Sequence, residues 1–214
     1  MPRVVILLML LALVLAGPAT AQGGILFSAT LTTDQEPPPP VRIPTDTLGN
    51  PRPTPFGFAT LFLNDEQTAL AYSITVFNID FTGSQTPDIN DNLVAAHFHR
   101  APPGVNGPVI FGFIGTPFNE TNPNDVVVTP FTTGVGGTVT GKWDLPEGNN
   151  TTLGAEINNL LSGNTYANFH TLQFRGGEIR GQILMPEPTT LTLVLLGGLG
   201  LAGARLVRRR RRSA

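Results

Sequence analysis

The chain has 214 residues and no cysteine, is poor in charge (13% Asp, Glu, Lys and Arg), and is rich in glycine (24) and proline (20). That composition excludes disulfides, thiolate zinc sites and cysteine nucleophiles, and it favours short strands joined by many turns. The formal net charge of −2 conceals a division, because seven of the thirteen basic residues lie in the terminal segments. Residues 22–184 hold six basic against fourteen acidic side chains, a balance that argues against nucleic acid, whose phosphates need a basic face.

In chain order, residues 1–21 combine Arg3, an apolar run from Val4 to Leu15, and Ala19-Thr20-Ala21. This is the pattern of a secretory signal peptide read by signal peptidase, with Ala19 and Ala21 as the small residues before the cut. The mature chain is expected to begin near Gln22. Ile25 to Thr33 alternates apolar and polar residues as a half-buried strand does, and Pro37 to Pro40 end it. Phe56 to Leu63 and Ala69 to Ile79 flank Asn64-Asp65-Glu66-Gln67 as a hairpin, with Leu70, Tyr72, Ile74 and Val76 on one face. Phe81 to Asp91 is a polar loop.

Leu93 to Arg100 and Val109 to Ile114 follow as a strand and its return, joined by a Pro/Gly/Asn turn. Asp125 to Thr133 and Gly137 to Leu145 are further strands. Thr152 to Leu161 is the one expected helix, with Asn150 or Thr151 as cap, Ile157, Leu160 and Leu161 as its buried stripe, and Gly163 as its stop. Tyr166 to Phe174 and Glu178 to Leu184 form a last hairpin. The expected fold is all-β: an antiparallel sandwich or barrel of about 8–9 strands with one short helix, spanning residues 22–184.

Residues 185–214 read as a membrane and sorting segment. Pro186-Glu187-Pro188 precedes an apolar run, with an expected transmembrane helix over about 191–207. Arg205, Arg208, Arg209, Arg210, Arg211 and Arg212 hold that end on the cytoplasmic side and leave the body outside. The Pro-Glu-Pro, the Gly/Leu-rich stretch Leu195 to Gly203 and the arginine cluster closely resemble the PEP-CTERM sorting signal of Gram-negative bacteria. The resemblance implies processing by an exosortase-type enzyme near 186–188, loss of the helix, and delivery to the envelope, surface or extracellular matrix.

The body resembles the CHRD domain over roughly Ile25 to Leu184, with an insertion-like loop at 40–55. Three places carry the likeness. The first is Phe27-Ser28-Ala29-Thr30-Leu31 with Gln35-Glu36-Pro37-Pro38. The second is Ala96-His97-Phe98-His99 with Gly104-Val105-Asn106-Gly107-Pro108-Val109. The third is Tyr166-Ala167-Asn168-Phe169-His170-Thr171 with Gly176-Gly177-Glu178-Ile179-Arg180-Gly181-Gln182. All three histidines fall on motif positions. The family has no assigned reaction, so the resemblance implies a fold rather than an activity.

The histidines are the chemistry-bearing candidates. His97 and His99 sit two residues apart, which on a strand points both imidazoles to one face. Should the fold bring His170 beside them, three neutral imidazoles would suit Zn²⁺ or Cu²⁺, with Glu36 or Glu178 as a carboxylate that fixes their tautomers. The alternative is that the rings hydrogen-bond to each other and to backbone, closing one end of the sandwich. Glu178, Arg180 and Gln182 alternate with apolar residues and are expected to form a solvated strand face. No nucleophile elbow, phosphate loop, metalloprotease helix or calcium loop is present in the sequence.

The leading expectation is therefore a non-enzymatic, exported structural or interaction protein of the envelope or matrix. A metal-binding domain with redox activity on His97, His99 and His170 is one alternative. A module for extracellular polysaccharide is another, although Trp143 is the only tryptophan and Tyr72 and Tyr166 the only tyrosines.

Overall fold

The structure, a computed structural model, describes residues 23–37, 43–120 and 125–186. The signal segment with Ala19 and Ala21, the helix expected at about 191–207, Glu187, Pro188 and the terminal arginines lie outside the described residues. Among the described residues no helix is long and apolar enough to cross a membrane.

Nine strands form two antiparallel sheets. They are β1 (Gly24–Leu31), β2 (Phe56–Asn64), β3 (Ala69–Phe77), β4 (Leu93–Arg100), β5 (Val109–Ile114), β6 (Val127–Pro130), β7 (Gly136–Asp144), β8 (Thr165–Thr171) and β9 (Ile179–Gln182). The first sheet runs β1-β2-β3-β7-β6 and the second β5-β4-β8-β9. One helix, α1 (Leu153–Leu161), separates β7 from β8.

The first sheet follows the period-two rule closely. Gly57, Ala59, Leu61 and Leu63 of β2 are buried, and so are Leu70, Tyr72, Ile74 and Val76 of β3, while the intervening residues face outward. These side chains meet an aromatic layer from the second sheet. Tyr72 stands edge-on to Phe98 at 5.4 Å between ring centroids, and Trp143 stacks on Phe111 at 5.0 Å. Trp143 is only 1% exposed and donates its indole N–H to the Glu147 carbonyl oxygen at 2.7 Å, so its one polar atom is satisfied inside the core. Cutting such a residue back to alanine typically costs about 3–5 kcal/mol.

Several boundaries differ from those expected. The helix starts at Leu153 because Thr152, in extended backbone, accepts the Ala155 N–H on its hydroxyl at 3.3 Å; Thr152, not Asn150 or Thr151, is the cap. Gly163 ends the helix at φ +70°, as expected. Strands β6 and β9 are shorter than their apolar patterns, since pairing runs only over Val127–Pro130 and Ile179–Gln182.

The second sheet departs from the simple pattern. Every residue of β8 and β9 is buried, on both faces. Ala96, Phe98, Ala167 and Phe169 face the core. The other face carries His97, His99, Tyr166, Asn168, His170, Arg180 and Gln182, all less than 9% exposed. The solvated strip expected of Arg180 and Gln182 is thus a covered one, because loops lie across it. The Pro102 carbonyl oxygen takes a bond from the Arg180 guanidinium at 3.1 Å, and the Ala101 carbonyl oxygen takes one from the Gln182 amide at 3.0 Å. Glu178 is turned elsewhere, to Arg52 and to the Thr171 hydroxyl, each at 2.5 Å.

Candidate metal centre

Strand pairing brings the histidines together. In the β4–β8 ladder Ala95 lies opposite His170 and His97 opposite Asn168, so His97 and His170 are diagonal neighbours on one face. The fold does what the sequence left open: one ligand-capable atom from each of His97, His99 and His170 lies within 4.8 Å of the others. His97 is 5%, His99 8% and His170 7% exposed, so the cluster is closed from bulk water.

Two backbone carbonyls set the ring tautomers. The Nδ1 of His99 is 3.0 Å from the Gly107 oxygen, and the Nδ1 of His170 is 3.0 Å from the Arg175 oxygen. A carbonyl only accepts, so both Nδ1 atoms carry hydrogen in the neutral rings and both Nε2 atoms present lone pairs. The Nδ1 of His97 lies 3.3 Å from the Nε2 of His170 and donates to it. The Nε2 atoms of His97 and His99 are buried without a hydrogen-bond partner among the described residues. The orienting role expected of Glu36 or Glu178 is filled at these two rings by carbonyls, and Glu178 is committed to Arg52 and Thr171.

Electrostatics keep His97 and His99 neutral. Burial pushes His97 down to about 3, with the proximity of His170 and His99 adding to the shift. Burial also pushes His99 down to about 4; the Gly107 bond opposes that shift, while His170 and Arg180 reinforce it. At neutral pH no proton competes for these lone pairs.

The packing around the rings is specific. His99 stacks on Tyr166 at 4.8 Å and 9° between planes, and the Arg180 guanidinium carbon sits 3.3 Å from the centroid of the same tyrosine ring. Tyr166 also accepts the Gly107 N–H on its hydroxyl at 3.2 Å. Phe118 stands edge-on to His97 at 5.8 Å. The clamp needs a glycine at 107, since a Cβ there would lie 1.8 Å from the Arg100 carbonyl oxygen.

The donor set fits a borderline-soft transition metal. Three neutral imidazole nitrogens, two of them oriented by carbonyls, are what Zn²⁺ and Cu²⁺ sites use. With metal–nitrogen bonds of ~2.0–2.1 Å, two nitrogens on a tetrahedral ion stand about 3.3–3.4 Å apart, and the His97–His170 pair already has that spacing. The widest pair of the triad, at up to 4.8 Å, would have to close by more than an ångström on binding.

Reading the sequence alone missed Gly107 and Arg175 as orienting carbonyls, Phe118 as a cover, and the stack of Arg180 and His99 on Tyr166. The Asn106-Gly107-Pro108 turn was a visible signal for the first of these. The family model of the CHRD domain matches residues 27–183 of the chain. No curated protein and no solved structure matches it.

Proposed function

Because the chain belongs to the CHRD domain family, a class defined by fold rather than by reaction, we propose that its outer-face histidine cluster is a closed, non-catalytic binding site for Zn²⁺ or Cu²⁺. The observation that carries this reading is the convergence of three buried imidazoles, one ligand-capable atom of each within 4.8 Å of the others, with the His99 Nε2 buried without a hydrogen-bond partner among the described residues. A buried lone pair without a donor costs free energy, and a metal ion is the partner that three converging imidazoles suit. Once bound, such an ion would cross-link β4 to β8 and stabilise the sheet. Ligation of His97 through Nδ1 would move the hydrogen it shares with His170 to its own Nε2, leaving the ring neutral. The burial of all three rings supports a structural role over turnover, since turnover needs an open coordination position.

The domain is, in the same reading, the body of an exported protein. The segment at 1–21 supports export through signal peptidase, and the Pro186-Glu187-Pro188 motif, apolar run and arginine cluster support sorting by an exosortase-type enzyme to the envelope or matrix. Mass analysis of the termini of the protein recovered from its native cells tests this address. A mature N-terminus near Gln22 and a C-terminus near 186–188 are expected; retention of the intact 214 residues overturns it.

Metal content of the purified full chain tests the site. After stripping and reloading with Zn²⁺ or Cu²⁺, about one ion per chain is expected in the wild type and a loss of tenfold or more in affinity in His97→Ala and His170→Ala. Equal, negligible metal in wild type and variants overturns the proposal.

A further inference from the structure

The outer face of the first sheet differs from an ordinary solvated strand surface, because β1, β2 and β3 contain no charged residue. Strand register sets its side chains in rows across the sheet. Ser28 lies opposite Thr60, Thr60 opposite Ser73, and Ser73 opposite Thr140, and all four are exposed. With neighbouring strands ~4.8 Å apart, these four hydroxyl groups repeat over about 14 Å. In the adjoining row Phe58 lies between Thr30 and Thr75, and the Thr75 and Thr138 hydroxyls are bonded to each other at 3.1 Å.

Beside these rows runs a strip of aromatic rings. Phe131 lies 5.2 Å from Phe77 between centroids, Phe77 stacks on Phe56 at 4.8 Å and 12°, and Phe56 stands edge-on to Phe58 at 5.9 Å. Phe58 is 54% and Phe56 38% exposed. Rings braced by their neighbours in this way have little freedom left to lose on binding. Trp143, Tyr72 and Tyr166 are all buried, so phenylalanine supplies the exposed aromatic surface of this sheet.

The chemistry of the face selects its occupant. Four strands at ~4.8 Å by about seven residues at ~3.4 Å give a face on the order of 500 Å², short of the ~800 Å² per partner that a stable dimer buries. Serine and alanine, which protein interfaces deplete, hold Ser28, Ala71 and Ser73 here. Residues 22–184 carry six basic against fourteen acidic side chains, which disfavours an acidic polymer or an anionic bilayer. What remains is an uncharged, extended ligand with apolar C–H faces for the rings and hydroxyls for the Ser/Thr row, each protein hydroxyl able both to donate and to accept. The strand spacing is also close to the advance of one sugar along an extended glycan. We propose that this face binds a neutral polysaccharide, with Phe56 and Phe58 stacking on sugar rings and the Ser28–Thr60–Ser73–Thr140 row bonding along the chain. The face lies on the opposite sheet from the histidine centre and works without it.

Depletion isotherms of the purified full chain on suspended microcrystalline cellulose and on chitin, both neutral, test the assignment, with calcium alginate gel as the acidic contrast. Saturable binding to at least one neutral polymer is expected, stronger than to alginate. Phe56→Ser and Phe58→Ser are each expected to weaken it by about three- to tenfold, the worth of one aromatic contact, and Phe58→Tyr to retain it. Val105→Ser removes an equally exposed apolar side chain, 49% exposed in the loop after β4, and should keep the wild-type isotherm. A melting curve on each variant shows that it is folded. Absence of saturable binding on both neutral polymers, preference for alginate, or wild-type isotherms in both folded serine variants each overturns the assignment. So does a dimer in sedimentation velocity that Phe58→Ser dissociates, which would make a second copy of the chain the occupant.

Discussion

The Nδ1 of His99 donates to the Gly107 carbonyl oxygen at 3.0 Å, across a turn that separates them by eight residues. That one bond aims the His99 Nε2 at the other two rings. It depends on Gly107, whose place leaves no room for a Cβ beside the Arg100 oxygen. Gly107→Ala is expected to shift the carbonyl, free the ring and weaken zinc binding by about 10–100-fold, the usual effect of losing an orienting partner. Calorimetric titration with Zn²⁺ measures it; unchanged affinity would show that the ring is held by its stack on Tyr166 instead.

The loop at 40–55 looked like an insertion, yet its Arg52 makes the most buried ion pair among the described residues. The side chains of Arg52 and Glu178 are 7% and 0% exposed and 2.5 Å apart. Arg52→Ala leaves the Glu178 charge buried with only the Thr171 hydroxyl for company, and is expected to cost about 3–5 kcal/mol in urea unfolding. Arg52→Met combined with Glu178→Leu is expected to recover most of that loss, because the uncompensated charge goes with its partner.

His97 and His99 titrate near 3 and 4 when folded, against an ordinary value of 6.5. The folded metal-free chain thus binds fewer protons than the unfolded one, so stability is full above about pH 6.5 and falls as pH drops toward the folded values. Each ring contributes a slope of up to about 1.4 kcal/mol per pH unit within that window. Urea midpoints of wild type and His97→Ala between pH 4 and 7 check this; the variant should show the shallower acid slope.

Glu120 has the opposite sign. Its folded carboxyl titrates at about 8 and its unfolded one near 4.5, so the stability tied to the protonated form is full below about pH 4.5. It is lost progressively as pH rises to 8. Glu147, Asp125 and Tyr72 are the titratable groups whose fields meet it. The difference in stability between wild type and Glu120→Gln should grow against the wild type from pH 5 to pH 8. A wild type that loses nothing relative to the variant over this range contradicts a proton-bound pair.

Much of the architecture was legible because strand and turn physics is local. Alternation in β2 and β3, the Asn64–Gln67 connection, the Asn-Gly-Pro turn after β4 and the Gly163 stop all act within a few residues, and each placed its element within a few positions. The outer face of the second sheet was misread for the complementary reason. Glu178, Arg180 and Gln182 look like a wet strand, and only loops arriving from residues 101–107 and from Arg52 cover or engage them.

By itself, then, the sequence determined the all-β class, the near-identity of strand positions and the fact that His97 and His99 share a face, since period two is a property of the backbone. It also carries, at both ends, the apolar and charged runs on which the proposed export and sorting rest. The tertiary structure alone decided that His170 joins them, because the nearest paired residues of β4 and β8, Arg100 and Thr165, are 65 residues apart and nothing local specifies the register that pairs the strands. It likewise decided that Glu120 and Glu147 look into one cavity. Long-range register and loop cover place such groups together, and neither is written in the spacing of neighbouring residues.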